Sequence, residues 1–113
     1  MRPHVIISPQ ITKYFRKLMR ILIKKGYFSF EENAIGYVND LVIDITINLP
    51  NKANKQAPKH FEKYGKNLYF ASFKKNKQTT WYVFFTIHLD ETNDTKTFLI
   101  RYVSNNHMIA KYL

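Results

Sequence analysis

Residues 68–104 read LYFASFKKNKQTTWYVFFTIHLDETNDTKTFLIRYVS, and three runs inside this stretch decide the fold. LYFASFK (68–74), TWYVFFTIHL (80–89) and KTFLIRYVS (96–104) are dense in aromatic and β-branched side chains, which suit a pleated, half-buried surface. The polar segments 75–79 and 90–95 between them are short enough for hairpin connections. The expected arrangement is a three-stranded antiparallel meander. The middle run is apolar at nearly every position, as expected of a central strand covered on one face by the helices and partly covered on the other.

Upstream, residues 4–8 (HVIIS) form a short β-branched run that reads as a strand. Ser8-Pro9 then supplies a helix cap followed by the residue best tolerated at the first helical position. Ile11, Phe15, Leu18 and Leu22 recur at three- to four-residue intervals, with Lys13, Arg16, Lys17, Arg20 and Lys24 between them. That pattern predicts an amphipathic helix with a cationic outer face, stopped at Gly26. Ser29-Phe30-Glu31-Glu32 fits a capping box for a second helix. Its apolar positions Ile35, Val38, Leu41, Val42, Ile45 and Leu49 keep the helical period as far as Pro50. Two helices joined by a short turn should pack as an antiparallel hairpin. Residues 51–67 hold no sustained apolar period and carry Pro58 and Gly65, so they read as a polar loop. A short closing helix is expected after Asn105 or Asn106. The fold class is therefore α+β: an N-terminal strand, a helix hairpin and a three-stranded antiparallel meander in one domain spanning residues 1–113.

The composition limits what such a domain does. An apolar share of 45% with 16% aromatic residues supports a packed core, and no apolar run is long enough to span a bilayer. No membrane partner and no signal-type segment are expected. There is no cysteine, hence no disulfide framework or thiolate metal site, and the cytoplasm is the expected location. Of the net charge of +10, residues 51–78 contribute +7 with eight lysines against one glutamate. A patch of this kind attracts polyanions through counterion release and steering; its plainer reading is a solvated lysine-rich surface.

Several residues could carry RNA chemistry. Metal-independent cleavage requires a base for the 2′-hydroxyl, an acid for the departing 5′-oxygen and cations around the phosphate. His107 lies just past the last strand, and imidazole titrates near neutral pH, which makes it the first candidate for acid or base; the plainer role is a surface histidine with one hydrogen bond. His4, His60 and His88 lack such a position, and the four histidines show no metal-ligand spacing, so no metal or cofactor is expected. Strand alternation puts Leu99, Arg101 and Val103 on one face, with Ile100 and Tyr102 on the other. Arg101 could clamp phosphate with its planar fork of donors or form a salt bridge to Asp40 or Asp44. Lys74, Lys75 and Lys77 sit at the first hairpin, with Lys63 and Lys66 shortly before its strand, where they could hold phosphate or line a solvated tip. Crowded ammonium groups depress one another's pKa, which can make a lysine a usable base. Tyr64, Tyr82, Tyr102 and Tyr112 could stack on bases, although most such tyrosines belong to cores.

The order of elements, together with KYGKNL (63–68), KKNK (74–77) before TWYVFF (80–85), and RYVSNNH (101–107), resembles the RelE/ParE superfamily of bacterial toxins over essentially the whole chain. The resemblance implies an mRNA endoribonuclease acting on the ribosome and held inactive by a cognate antitoxin protein. On that basis His107, Arg101, Lys74, Lys77 and Tyr112 are the catalytic candidates, and Lys63, Lys66 and Lys75 the RNA-binding ones. The ParE branch implies DNA gyrase as the target instead. A third reading is a non-catalytic nucleic-acid-binding module in which the lysines only hold phosphate, the toxin-like fold being retained for binding or for co-repression with an antitoxin. Several ribonucleases of the superfamily carry an arginine at the start of the central strand, where this chain has Thr79-Thr80-Trp81, and only six residues follow His107.

Overall fold

The computed structural model describes residues 1–26 and 31–113. The chain runs β1 (Arg2–Ile7), α1 (Pro9–Lys24), α2 (Glu31–Asn48), β2 (Lys55–Gln56), β3 (Tyr69–Lys74), β4 (Thr80–Asp90), β5 (Thr95–Asn105) and the single turn α3 (Asn106–Ile109). The fold is α+β, but its sheet has five strands rather than three, in the order β1-β5-β4-β3-β2. β3, β4 and β5 pair antiparallel in sequence order. β1 extends the sheet beyond β5 and runs parallel to it, Arg2 opposite Thr95 and Ile7 opposite Ile100, which makes the sheet mixed. Parallel neighbours require a long crossover, and here everything from α1 to β4 lies between the two strands. β2 adds a two-residue edge beside β3.

The helices begin and end where side chains satisfy their free backbone groups. The Ser8 hydroxyl accepts the Ile11 N–H at 3.4 Å with Pro9 in the first turn, and Gly26 (φ 68°) closes α1 by donating its N–H to the Ile23 carbonyl. Ser29, the expected cap of α2, and the turn before it lie outside the described residues. The β-branched segment 42–47 stays helical to its end, with the Thr46 hydroxyl donating to the Val42 carbonyl at 2.8 Å. Packing decides the matter: Val38, Leu41 and Ile45 are wholly buried, and their burial outweighs a weak intrinsic preference. No helix among the described residues is long and apolar enough to cross a membrane.

Each face of the sheet has its own core. On the helix side, Ile11 and Phe15 of α1 and Val38, Leu41 and Ile45 of α2 meet Phe73, Trp81, Val83, Phe85, Phe98, Ile100 and Val103. On the outer side, Phe61, Leu68, Phe84 and Ile109 form a second cluster with Tyr64, Phe70, Tyr82 and Tyr102 around it. The segment expected to be a polar loop therefore contains structure. Lys59–Tyr64 is a 3-10 turn that plants Phe61, 1% exposed, on the ring of Phe84 at 4.4 Å. One aromatic residue in a polar run sets up no periodicity.

A bulge in β5 also corrects the expected alternation. Phe84 faces Tyr102 and Phe85 faces Ile100, so Arg101 is an extra residue without a partner on β4. A bulge shifts the phase of side chains along a strand. Val103 consequently joins Phe98 and Ile100 in the helix-side core, while Tyr102 packs in the outer one.

Candidate nucleic-acid interface

The candidate residues fall into three groups. The first is at the β3–β4 hairpin. Its turn is closed by the Lys75 N–H donating to the Thr79 carbonyl at 3.0 Å, and the Asn76 side-chain oxygen accepts the Gln78 and Thr79 amides at 2.9 Å each. Asn106 ties this hairpin to the chain terminus: its Oδ1 accepts the Thr80 N–H at 2.9 Å and its Nδ2 donates to the Gln78 carbonyl at 3.0 Å. Asn105 caps α3 by accepting the His107 N–H at 3.0 Å. These contacts set His107 over the hairpin, its Nε2 3.0 Å from the Thr79 hydroxyl and its ring exposed. Lys74 and Lys77 are exposed on the same hairpin, whereas Lys75 turns back so that its Nζ lies 5.1 Å over the Tyr37 ring.

The second group is on the outer face. Tyr64 and Tyr102 stack with centroids 3.8 Å apart and planes within 5°. His60 and Tyr112 stack at 3.6 Å and 4° where the 3-10 turn meets the C-terminal segment. Lys63 lies 5.4 Å over the Tyr64 ring and Lys111 lies 5.1 Å over that of Tyr112. The His60 pKa falls below its ordinary value, first through lost hydration and then through the positive charges of Lys63 and Lys111. Burial raises the Tyr102 pKa, so its hydroxyl stays a neutral donor and acceptor. Arg101 reaches this group because the bulge turns it outward, and its Nε donates to the Tyr64 carbonyl at 3.2 Å. Gly65 precedes the strand with φ 150°, a conformation that residues with side chains rarely adopt; a Cβ there would make only ordinary contact with Arg101 Nε at 3.5 Å and Leu68 Cδ2 at 3.6 Å.

The salt bridge weighed for Arg101 is not formed. Asp44 instead accepts the Asn48 amide at 2.7 Å, from a helix on the opposite side of the sheet. The only ion pair among the described residues joins the Met1 amino group to Asp94 at 3.6 Å. Among the described residues no lysine or arginine side chain is ion-paired with a carboxylate.

Lys66 belongs to a third place, an open trough near the far end of β4 that it shares with Tyr69, His88 and Lys96. The structure thus brings together His107, Lys74 and Lys77 at the hairpin, and Lys63, Arg101 and Tyr112 on the outer face. It does not gather both sets around one point: residues 101 to 105 of an extended strand span about 13 Å. In the sequence His60 is set aside as a site residue, Asn106 is read only as the start of a helix, Thr79 stands only where an arginine is expected, and Lys111 is not singled out. His60 and Lys111 carried a signal, since KHFEKY (59–64) and KY (111–112) interleave cations with aromatic rings.

Among the described residues no three His, Asp or Glu side chains are grouped so as to hold a metal ion. No protein-family model, curated protein or solved structure matches this chain.

Proposed function

We propose that this protein is an RNA-cleaving toxin of a toxin–antitoxin pair, acting on mRNA in the ribosome. The observation that carries the reading is the exposed His107 imidazole, 3.0 Å from the Thr79 hydroxyl, at a hairpin that also carries the exposed Lys74 and Lys77, neither of them ion-paired among the described residues. Thr79 fixes the ring, Lys74 and Lys77 hold the phosphate, and His107 moves a proton. The 2′-hydroxyl gives its proton to the imidazole as its oxygen attacks phosphorus, the bond to the 5′-oxygen breaks, and the imidazolium returns a proton to that oxygen, leaving a 2′,3′-cyclic phosphate and a 5′-hydroxyl. The outer face, with Arg101, Lys63 and the two ring stacks, carries the rest of the strand. An acidic antitoxin would inhibit by covering the same cations.

A second reading, a non-catalytic RNA-binding module, is favoured by the outer face itself, since stacked rings flanked by lysines bind single strands without any titrating group. One experiment separates the two. The protein is induced in cells, mRNA ends are mapped, and His107→Ala is compared with Lys63→Ala. New ends that disappear with His107→Ala support cleavage. RNA binding that survives His107→Ala, with no new ends in either protein, leaves the binding module. Growth arrest with gyrase-dependent DNA breaks and intact mRNA overturns both.

A further inference from the structure

β4 is longer than the strand beside it. β3 begins at Tyr69, opposite Phe85, so residues 86–90 pair with β5 on one side and with no strand among the described residues on the other. The cause is local. Asn67 takes the left-handed conformation (φ 58°) and turns the chain out of the strand track just before it would meet Thr86. In an antiparallel ladder alternate residues direct their N–H and C=O groups away from a given neighbour, so this segment offers a short row of free donors and acceptors.

Natural edges are usually blocked by proline, lysine or a bulge. β1 follows this rule with Arg2 and Pro3, and the free end of β3 closes with Lys74. The β4 segment, Thr-Ile-His-Leu-Asp, has none of these; the Asp90 carboxylate accepts the Asn93 N–H at 3.2 Å and the Asn93 Nδ2 at 2.8 Å, and Leu89 is 63% exposed. Alongside it lies an open trough of about 610 Å³, lined by Asn67, Tyr69, His88 and Leu89 with Lys66 and Lys96 at its rim. Thr86 and His88 are held in order by a 2.9 Å contact between the hydroxyl and the imidazole.

We infer that the free edge of β4 at residues 86–90 is a docking site for an extended, acidic peptide segment of a partner protein, which adds a strand in line with β3. Main-chain hydrogen bonds to the edge give affinity, Tyr69 and Leu89 take an apolar side chain, and Lys66 and Lys96 select for carboxylates. The inference does not depend on RNA cleavage, since none of these residues belongs to the hairpin or ring-stack groups.

The test uses the full chain and a synthetic acetylated peptide of alternating glutamate and valine, with a lysine–valine peptide as control. Residue-resolved amide exchange by NMR should show alternate amides within residues 86–90 protected on saturation by the acidic peptide only. Lys66→Glu combined with Lys96→Glu should weaken binding about tenfold or more. Leu89→Lys, at a position already in water, should keep the fold and also weaken binding. The inference is overturned if no saturation is reached at millimolar peptide, if the lysine–valine peptide binds equally well, or if protection falls on β1 or the outer edge of β3. It is equally overturned if these amides become protected by concentration alone, which would make the occupant a second copy of the chain.

Discussion

Asn106 accepts the Thr80 amide at 2.9 Å while donating to the Gln78 carbonyl at 3.0 Å, so one side chain fastens the C-terminal turn to the β3–β4 connection and to the first residue of β4. The position of His107 over Thr79 depends on that clasp.

Replacing Asn106 with alanine removes both bonds and leaves the partly buried Thr80 amide without its acceptor, a loss of about 1–3 kcal/mol. The expected result is a lower denaturation midpoint, with faster exchange at the Thr80 amide. Under the proposed mechanism, cleavage falls although every catalytic candidate is still present. Unchanged exchange at Thr80 would show that the clasp does not hold in solution.

Phe61→Ala should destabilise the protein by about 3–5 kcal/mol, as expected for emptying a buried aromatic site. The ring sits on Phe84 and anchors the turn that carries His60, Lys63 and Tyr64. Urea denaturation measures the cost, and a surface-like value below about 0.5 kcal/mol would contradict the outer core.

His60 titrates below its ordinary 6.5. The folded chain then binds fewer protons than the unfolded one in the window below 6.5, so this group's contribution to stability is complete above that pH and is lost as pH falls through the lowered value. A bound phosphate should raise the pKa again, so RNA binding tightens as pH falls through the same window. NMR titration of the His60 ring, with and without a short oligonucleotide, checks both signs. Lys63→Ala and Lys111→Ala should each move the value upward in the free protein.

RNA affinity should fall steeply with salt, because the cations have no carboxylate partners to compete with phosphate. Each lysine that contacts a phosphate should add about 0.7 to the slope of log K against log salt for a single strand. Lys74→Ala and Lys77→Ala are expected to reduce the slope by about that amount each, with little dependence on RNA sequence. Full affinity in these variants would remove the hairpin from the interface.

What could be read ahead of the structure follows from where the sequence is periodic. Ile11 to Leu22 and Val38 to Ile45 repeat every three or four residues, and segments 80–89 and 96–104 are dense in strand formers, so helices and central strands were legible. β1 was legible as a strand but not as a partner of β5, because pairing between distant segments leaves no local mark. Phe61 carried no period, and the bulge at Arg101 carried no signature, since a bulge is set by the register against β4. The candidate site was half legible for the same reason: His107 and the hairpin lysines are neighbours of strand ends, whereas the pairing of His60 with Tyr112 joins segments about fifty residues apart.

The parallel pairing of β1 with β5 also sets a timetable. Residues 2–7 are made about ninety residues ahead of residues 95–100, with which they form their ladder. During translation β1 has no strand to join until β5 has emerged, and the sheet can close only then. Pairings of such long sequence separation form slowly. Until then the α1–α2 segment and the β3–β4 hairpin can form, but the edge of β5 that receives β1 stays open to other strands. Completion of the sheet is thus governed by the meeting of two segments far apart in sequence.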